Sequence, residues 1–152
     1  SLYGKQNTIP FAPNMPTDCL NPYSMSKWMG EQVCKLYSQL YSLPSIVLRY
    51  FNVYGPREPI KGTYAPVIGL FKRQSSLGEP MTIVGDGTQK RDFTYIDDVV
   101  TANICAMKAP ITNPAHKIYN VGTGENYSIR EVAKRDLDWK PVFSLVDKIK
   151  SY

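Results

Sequence analysis

Between Ser24 and Tyr41 the apolar residues Met25, Trp28, Met29, Val33, Leu36, Tyr37, Leu40 and Tyr41 return every three or four positions, the period of one helix face. Leu43-Pro44 stops the run, because the residue before a proline is pushed away from helical backbone angles. Ile46-Val47-Leu48-Arg49-Tyr50-Phe51 comes next, β-branched and apolar without clean alternation, as in strands covered on both faces of a parallel sheet. A helix, a tight turn and a buried strand make half of a βαβ unit. No other feature constrains the chain as much: it predicts an α/β fold.

The remaining segments continue the alternation. Residues 1 to 22 are rich in Pro and Asn and read as loop, as does the stretch from Asn52 to Lys61 with Gly55-Pro56-Arg57. A helix is expected from Pro66 to Leu77, then a short strand Met81-Thr82-Ile83-Val84 ending in the turn Gly85-Asp86-Gly87. Phe93 to Ile96 reads as strand, and Asp97 or Asp98 as the cap of a helix through Val99, Val100, Ala102, Ile104 and Met107. Lys117 to Val121 is a strand closed by Gly122-Thr123-Gly124, and Ser128-Ile129-Arg130-Glu131 is a capping box. That last helix has barely one turn before Arg135 to Pro141 reads as loop, with a short terminal helix from Ser144 to Tyr152. So short a capped helix is a poor element. Residues missing near Ala133 are therefore expected, with a break around positions 132 to 136 where Cα atoms lie further apart than the ~3.8 Å of a trans peptide.

Composition removes several classes. A chain of 152 residues is about one domain's worth, and 43% hydrophobic with 20% charged residues is ordinary globular usage. No apolar run reaches the ~18 residues of a membrane span. The start, Ser1-Leu2-Tyr3-Gly4-Lys5, has neither an initiator Met nor an apolar leader, which suggests a fragment or processed chain without a signal peptide. Cys19, Cys34 and Cys105 are too scattered for a disulfide framework or a metal knuckle, and reduced thiols point to the cytoplasm. The single histidine, His116, reads as a loop residue, and no metal site is expected. The net charge of +5 is dispersed, with no basic cluster longer than Lys72-Arg73 or Lys90-Arg91. A small anionic ligand fits this better than nucleic acid or a membrane.

Tyr23 and Lys27 stand four apart at the start of the first helix, hence on one face. An ammonium favours the ionised form of a nearby phenol, and a helix N-terminus acts in the same direction. Such a pair can exchange a proton with a substrate hydroxyl while hydride moves at the adjacent carbon. Alone, this spacing is common by chance. Here Tyr3-Gly4 lies upstream, and Leu48-Arg49-Tyr50-Phe51-Asn52-Val53-Tyr54-Gly55-Pro56, Gly85-Asp86-Gly87-Thr88-Gln89-Lys90-Arg91-Asp92-Phe93 and Asn120-Val121-Gly122-Thr123-Gly124 follow in order.

From Tyr3 to Tyr152 this ordered set resembles the carboxyl-terminal half of the extended short-chain dehydrogenase/reductases, and more narrowly the NAD-dependent nucleotide-sugar epimerases of the UDP-glucose 4-epimerase type. The resemblance implies the carboxyl-terminal part of a Rossmann-type, doubly wound fold plus a smaller α/β substrate-binding domain, without the amino-terminal dinucleotide-binding half. It implies residues 1–62 as the end of the NAD-binding part and 63–152 as mostly the nucleotide-sugar part, the two interleaved. By the same resemblance Tyr23 is the acid/base and Lys27 holds the nicotinamide ribose. Tyr50 packs at the nicotinamide end, and Asn52 touches the diphosphate-sugar portion. Tyr64 and Thr63 lie over the nucleotide, Thr82 to Val84 border the base, and Arg91 pairs with the pyrophosphate, a contact suited to guanidinium. The implied reaction is oxidation of the sugar by bound NAD, rotation of the keto-sugar, and hydride return to its other face. The implied assembly is a homodimer through the helix bearing Tyr23.

The departures are as informative. The family's catalytic Ser or Thr lies four positions before the tyrosine matching Tyr3, upstream of Ser1, so Ser1 inherits no role. The Gly-rich dinucleotide loop is absent, since Gly85-Asp86-Gly87 does not open a helix. The stretch carrying a second pyrophosphate arginine ahead of Trp139-Lys140-Pro141 is also absent, so the chain alone is expected to be inactive. A 4,6-dehydratase is the rival, but its acidic Glu would fall at Ser1; a decarboxylase or reductase relative stays open. A binding protein that lost its cofactor site is the alternative of another class, opposed by the presence of Tyr23, Lys27 and Arg91 together.

Overall fold

Asn21 opens the first helix with a reciprocal cap. Its side-chain oxygen accepts from the Ser24 N–H at 2.8 Å, and Ser24 Oγ accepts from the Asn21 N–H at 3.2 Å. Pro22 follows at the first helical position, where a missing N–H costs nothing. The computed structural model describes residues 1–5, 9–62, 65–111 and 115–137, with side chains as far as residue 133. In chain order its elements are α1 (Pro22–Tyr41), β1 (Ser45–Tyr50), β2 (Asn52–Tyr54), α2 (Val67–Ser76), β3 (Lys90–Arg91), β4 (Phe93–Tyr95), α3 (Ile96–Lys108), β5 (His116–Val121), β6 (Tyr127–Ser128) and α4 (Ile129–Leu137).

The described residues divide into two compact units, one drawn from Ser1–Val53 and Phe93–Gly124, the other from Tyr54–Asp92 and the described stretch that begins at Glu125.

In the first unit β1 and β5 form a parallel pair, with Ser45 opposite His116 and Tyr50 opposite Val121. α1 and α3 pack on β1, and β2 pairs with β4. The α/β class expected from periodicity is present. Three details differ from expectation. The segment after Phe51 forms β2 where loop was expected, and Tyr95 stands at the N-cap position of α3 without a side-chain capping hydrogen bond, with Asp97 and Asp98 in the first turn. The buried positions of α1 are Ser24, Glu31 and Ser38, one heptad apart, while Met25, Met29, Val33, Leu36, Tyr37, Leu40 and Tyr41 are exposed. Polar residues can line the inner stripe because each has a partner: Ser38 Oγ donates to the Ala115 carbonyl at 2.9 Å, and Glu31 is bound by Arg49 of β1.

His116, expected in a loop, begins β5 and places Nδ1 2.7 Å from Ser45 Oγ. Burial holds its imidazole below the ordinary value of 6.5, with Lys35 acting in the same direction and Glu31 opposing. A histidine whose folded-state pKa is depressed binds protons more readily when unfolded, so its contribution to stability is present above that ordinary value and lost as pH falls below it. The melting temperature should therefore drop on going from pH 7.5 to 5.5, and the drop should be smaller in a His116→Gln variant. Equal drops by calorimetry would contradict this.

In the second unit β3 and β6 pair antiparallel, Lys90 opposite Ser128 and Arg91 opposite Tyr127, and α2 packs on α4. Ile68, Phe71, Ile129, Val132 and Ala133 are its buried apolar residues. The capping box read in the sequence is present: the Ser128 N–H donates to Glu131 Oε2 at 2.7 Å, and the Glu131 N–H to Ser128 Oγ at 3.1 Å. That backbone hydrogen bond holds the Glu131 carboxyl below the usual carboxylate range. The expected break at 132–136 is corrected: α4 runs through those positions to Leu137, so the helix is longer than one turn and residues 135–137 are not loop. The helix expected from Ser144 to Tyr152 lies outside the described residues.

Candidate active site

Capping fixes the start of α1, and with it the two residues carrying the expected chemistry. Tyr23 is the second residue of the helix, at the end where unsatisfied backbone N–H groups favour negative charge. Lys27 lies one turn on, with its Nζ 5.4 Å from the centroid of the Tyr23 ring. The two side chains share one face, as their spacing predicts. That face is open: Tyr23 is 63% exposed. A pocket beside α1 is lined instead by Gln32, Lys35, Ser38, Gln39, His116 and Ile118.

The orientation of α1 is set from behind by a polar cluster that sequence reading missed. Arg49 grips Glu31 with both ends of its fork, Nε to Oε1 at 2.8 Å and Nη2 to Oε2 at 2.7 Å. Its Nη1 donates to the Tyr3 hydroxyl at 2.9 Å and to the Pro13 carbonyl at 3.2 Å. Tyr3 donates in turn to Asn120 Oδ1 at 2.5 Å, and Asn120 Nδ2 donates to the Phe11 carbonyl at 2.7 Å. The Tyr3 ring stacks on Phe11 at 4.6 Å. The bond to Glu31 holds the Arg49 guanidinium above its ordinary value despite burial, and Tyr3 adds to this. The leading loop, α1, β1 and β5 are thereby tied to one guanidinium. Glu31, four residues beyond Lys27, is the part of this cluster that fixes how α1 is rotated about its axis.

Tyr50 ends β1, half exposed, and donates from its hydroxyl to Asn103 Oδ1 at 3.0 Å, while Asn103 donates to the Val99 carbonyl. Asn52 begins β2 and is exposed. Both belong to the first unit, as do Tyr23 and Lys27. Tyr64 and Thr63 lie outside the described residues.

Thr82, Val84 and Arg91 belong to the second unit. Arg91 is exposed in β3, with Nη1 donating to the Lys90 carbonyl at 2.8 Å. The strand expected at Met81–Val84 is corrected: the residues are not part of any ladder. Side-chain amides replace one. The Thr82 N–H donates to Gln74 Oε1 at 3.0 Å, Gln74 Nε2 donates to Thr82 Oγ1 at 2.8 Å, and Gln89 Nε2 donates to the Val84 carbonyl at 2.8 Å. The β-branched composition reads as strand, but hydrogen bonds to side chains are invisible to periodicity. Gly85 and Gly87 make a turn, with φ of 71° and 72°. A Cβ on Gly87 would sit 2.8 Å from Ile83 Cγ2. Gly87→Ala should therefore cost about 1–3 kcal/mol, strain included, measured by urea unfolding; an unchanged midpoint would contradict it.

Among the described residues no group of three or more His, Cys, Asp or Glu side chains is placed to hold a metal ion, and no helix is long and apolar enough to cross a membrane.

Comparison with known proteins assigns the class. The model of the NAD dependent epimerase/dehydratase family matches residues 1–122. The chain belongs to this family, within the short-chain dehydrogenase/reductase superfamily. It is 41% identical over 112 residues to the UDP-N-acetyl-alpha-D-glucosaminuronate decarboxylase of Bacillus cytotoxicus, covering 74% of this chain and 33% of that protein. It is 36% identical over 134 residues to the UDP-glucose 4-epimerase of Mycolicibacterium smegmatis, covering 87% of this chain and 41% of that one. Among solved structures it superimposes on the UDP-glucose 4-epimerase of Thermotoga maritima with UDP-glucose at a TM-score of 0.83 and 32% identity, over 93% of this chain and 46% of the other. The chain thus spans less than half the length of these relatives.

Proposed function

We propose that this chain is the carboxyl-terminal part of an NAD-dependent UDP-sugar epimerase, with Tyr23 as its acid/base. The observation that carries the reading is the Tyr23–Lys27 pair on one face at a capped helix N-terminus. The names of the Mycolicibacterium and Thermotoga relatives support the UDP-glucose and UDP-galactose type of substrate.

The phenol of Tyr23 takes the proton of a sugar hydroxyl and later gives it back. Lys27, one turn on, places its ammonium beside the same ring, where it would hold the nicotinamide ribose. The donor set also suits the cofactor: an ammonium with three N–H groups beside an exposed phenol matches a ribose diol. NAD, when bound, accepts and returns the hydride that interconverts sugar alcohol and ketone. Tyr50 would border its nicotinamide end. Asn52, Thr82, Val84, Tyr64 and Arg91 would hold the nucleotide sugar, Arg91 as the cationic partner of its diphosphate. The first part of the chain would thus serve the cofactor and the later part the nucleotide. A cytoplasmic homodimer completes the proposal. The exposed apolar residues of α1 support a covering partner there.

The decarboxylase relative supports a second reading, loss of carbon dioxide from a UDP-uronic acid. The test separates them. The full-length protein, supplied with NAD and given UDP-glucose or UDP-glucuronate in turn, should yield the inverted sugar without release of carbon dioxide. Stoichiometric carbon dioxide from the uronate would replace the epimerase reading by the decarboxylase one.

A further inference from the structure

Gln74 is buried on α2, 6% exposed, and the hydrophobic neighbours Ile68 and Phe71 on the same helix leave it no reason of packing to be polar. Its amide is spent on one residue. Oε1 accepts from the Thr82 N–H at 3.0 Å and Nε2 donates to Thr82 Oγ1 at 2.8 Å, a two-point clamp eight positions along the chain. The clamped segment has no strand neighbour. Its other anchor is Gln89, which donates to the Val84 carbonyl at 2.8 Å. Val84 itself is 78% exposed.

A segment held by two amides, one at each end, is anchored at both ends while its backbone stays outside any ladder. Each peptide unit carries an N–H and a C=O, and a uracil edge carries an N–H between two carbonyls. We infer that Gln74 is a positioning residue for recognition of the nucleotide base: by locking Thr82 it fixes the Thr82–Val84 backbone against which the uracil is read. This rests on the reading of Thr82 to Val84 as the base-bordering segment. It predicts that the affinity contributed by the base, and not that contributed by the diphosphate, depends on a side chain that never touches the ligand. Pre-ordering of a binding segment raises affinity by removing the cost of fixing it on binding.

The test is calorimetric titration of the full-length protein with two probes, UDP and inorganic pyrophosphate. In the Gln74→Leu variant, UDP should bind roughly 10-fold more weakly, the loss expected when a buried hydrogen-bond pair is broken, while pyrophosphate binding stays as in the wild type. The KM for the UDP-sugar should rise by a similar factor with kcat retained. Should that variant fail to give a cooperative melt, Thr82→Val decides. It keeps the N–H bond and loses the hydroxyl one, and should weaken UDP alone, by roughly 3-fold. Unchanged UDP binding in folded variants would overturn the role of Gln74 by itself, as would equal weakening of both probes, the mark of a general structural loss. Absence of UDP binding by the wild type would overturn the base assignment and this inference with it.

Discussion

Replacing Tyr23 by phenylalanine in the full-length protein should lower the rate of sugar interconversion by roughly 10²–10⁴-fold, the usual contribution of a positioned acid/base group. The ring and its contact with Lys27 survive the change; one oxygen is lost. Tyr23 is mostly exposed at the second position of α1, and no described core contact depends on its hydroxyl. The melting temperature should therefore stay close to the wild-type value, and affinity for the UDP-sugar should change little, because the base and diphosphate are assigned to other residues. A rate within a few-fold of the wild type would remove Tyr23 from the chemistry. A lower rate with a collapsed melting transition would point to a structural role. Lys27→Met should also slow turnover, by removing the ammonium assigned to the nicotinamide ribose.

The second large effect concerns stability. Glu31 and Arg49 have side chains only 6% and 8% exposed and meet through two short parallel hydrogen bonds. Burying an ion pair is costly, but removing one partner is worse, since the other charge is left in the interior unpaired. Glu31→Leu or Arg49→Met alone should each destabilise by about 3–5 kcal/mol. The double variant should recover part of that loss, because two apolar side chains of similar volume leave no orphaned charge. Urea unfolding of the three variants forms a double-mutant cycle. Additive losses would show that the pair is not coupled. Arg49→Met also strips a donor from the Tyr3 hydroxyl and the Pro13 carbonyl, so the leading loop should loosen first, visible as faster amide exchange in residues 1–5 and 9–20.

The same pair shows where sequence reading stops. The period of α1 and the apolar run of β1 are local signals, and both elements stand where they were expected. Which face of α1 turns inward is not local. Its apolar residues would go inside on hydrophobicity alone, yet Glu31 is inside because Arg49 meets it from another element. The same reason hid the place of His116. Its Pro- and Asn-rich neighbours read as loop, and only pairing with Ser45, 71 positions away, makes it strand. The box at Ser128 announced the start of α4 correctly but carries no information about where the helix ends. For the site, the spacing of Tyr23 and Lys27 fixed their shared face in advance. Thr82 and Val84 could be singled out through resemblance, but the amides of Gln74 and Gln89 that hold their segment have no sequence signature.

The proposed reaction oxidises and re-reduces a carbohydrate alcohol through one enzyme-bound cofactor, with Tyr23 as the proposed proton carrier. The most direct measurement is NMR of UDP-glucose incubated with the full-length protein and NAD in deuterated water. UDP-galactose should accumulate with ordinary hydrogen at the inverted carbon, because the same hydride returns. Deuterium at that carbon, or no galactose at all, would contradict it.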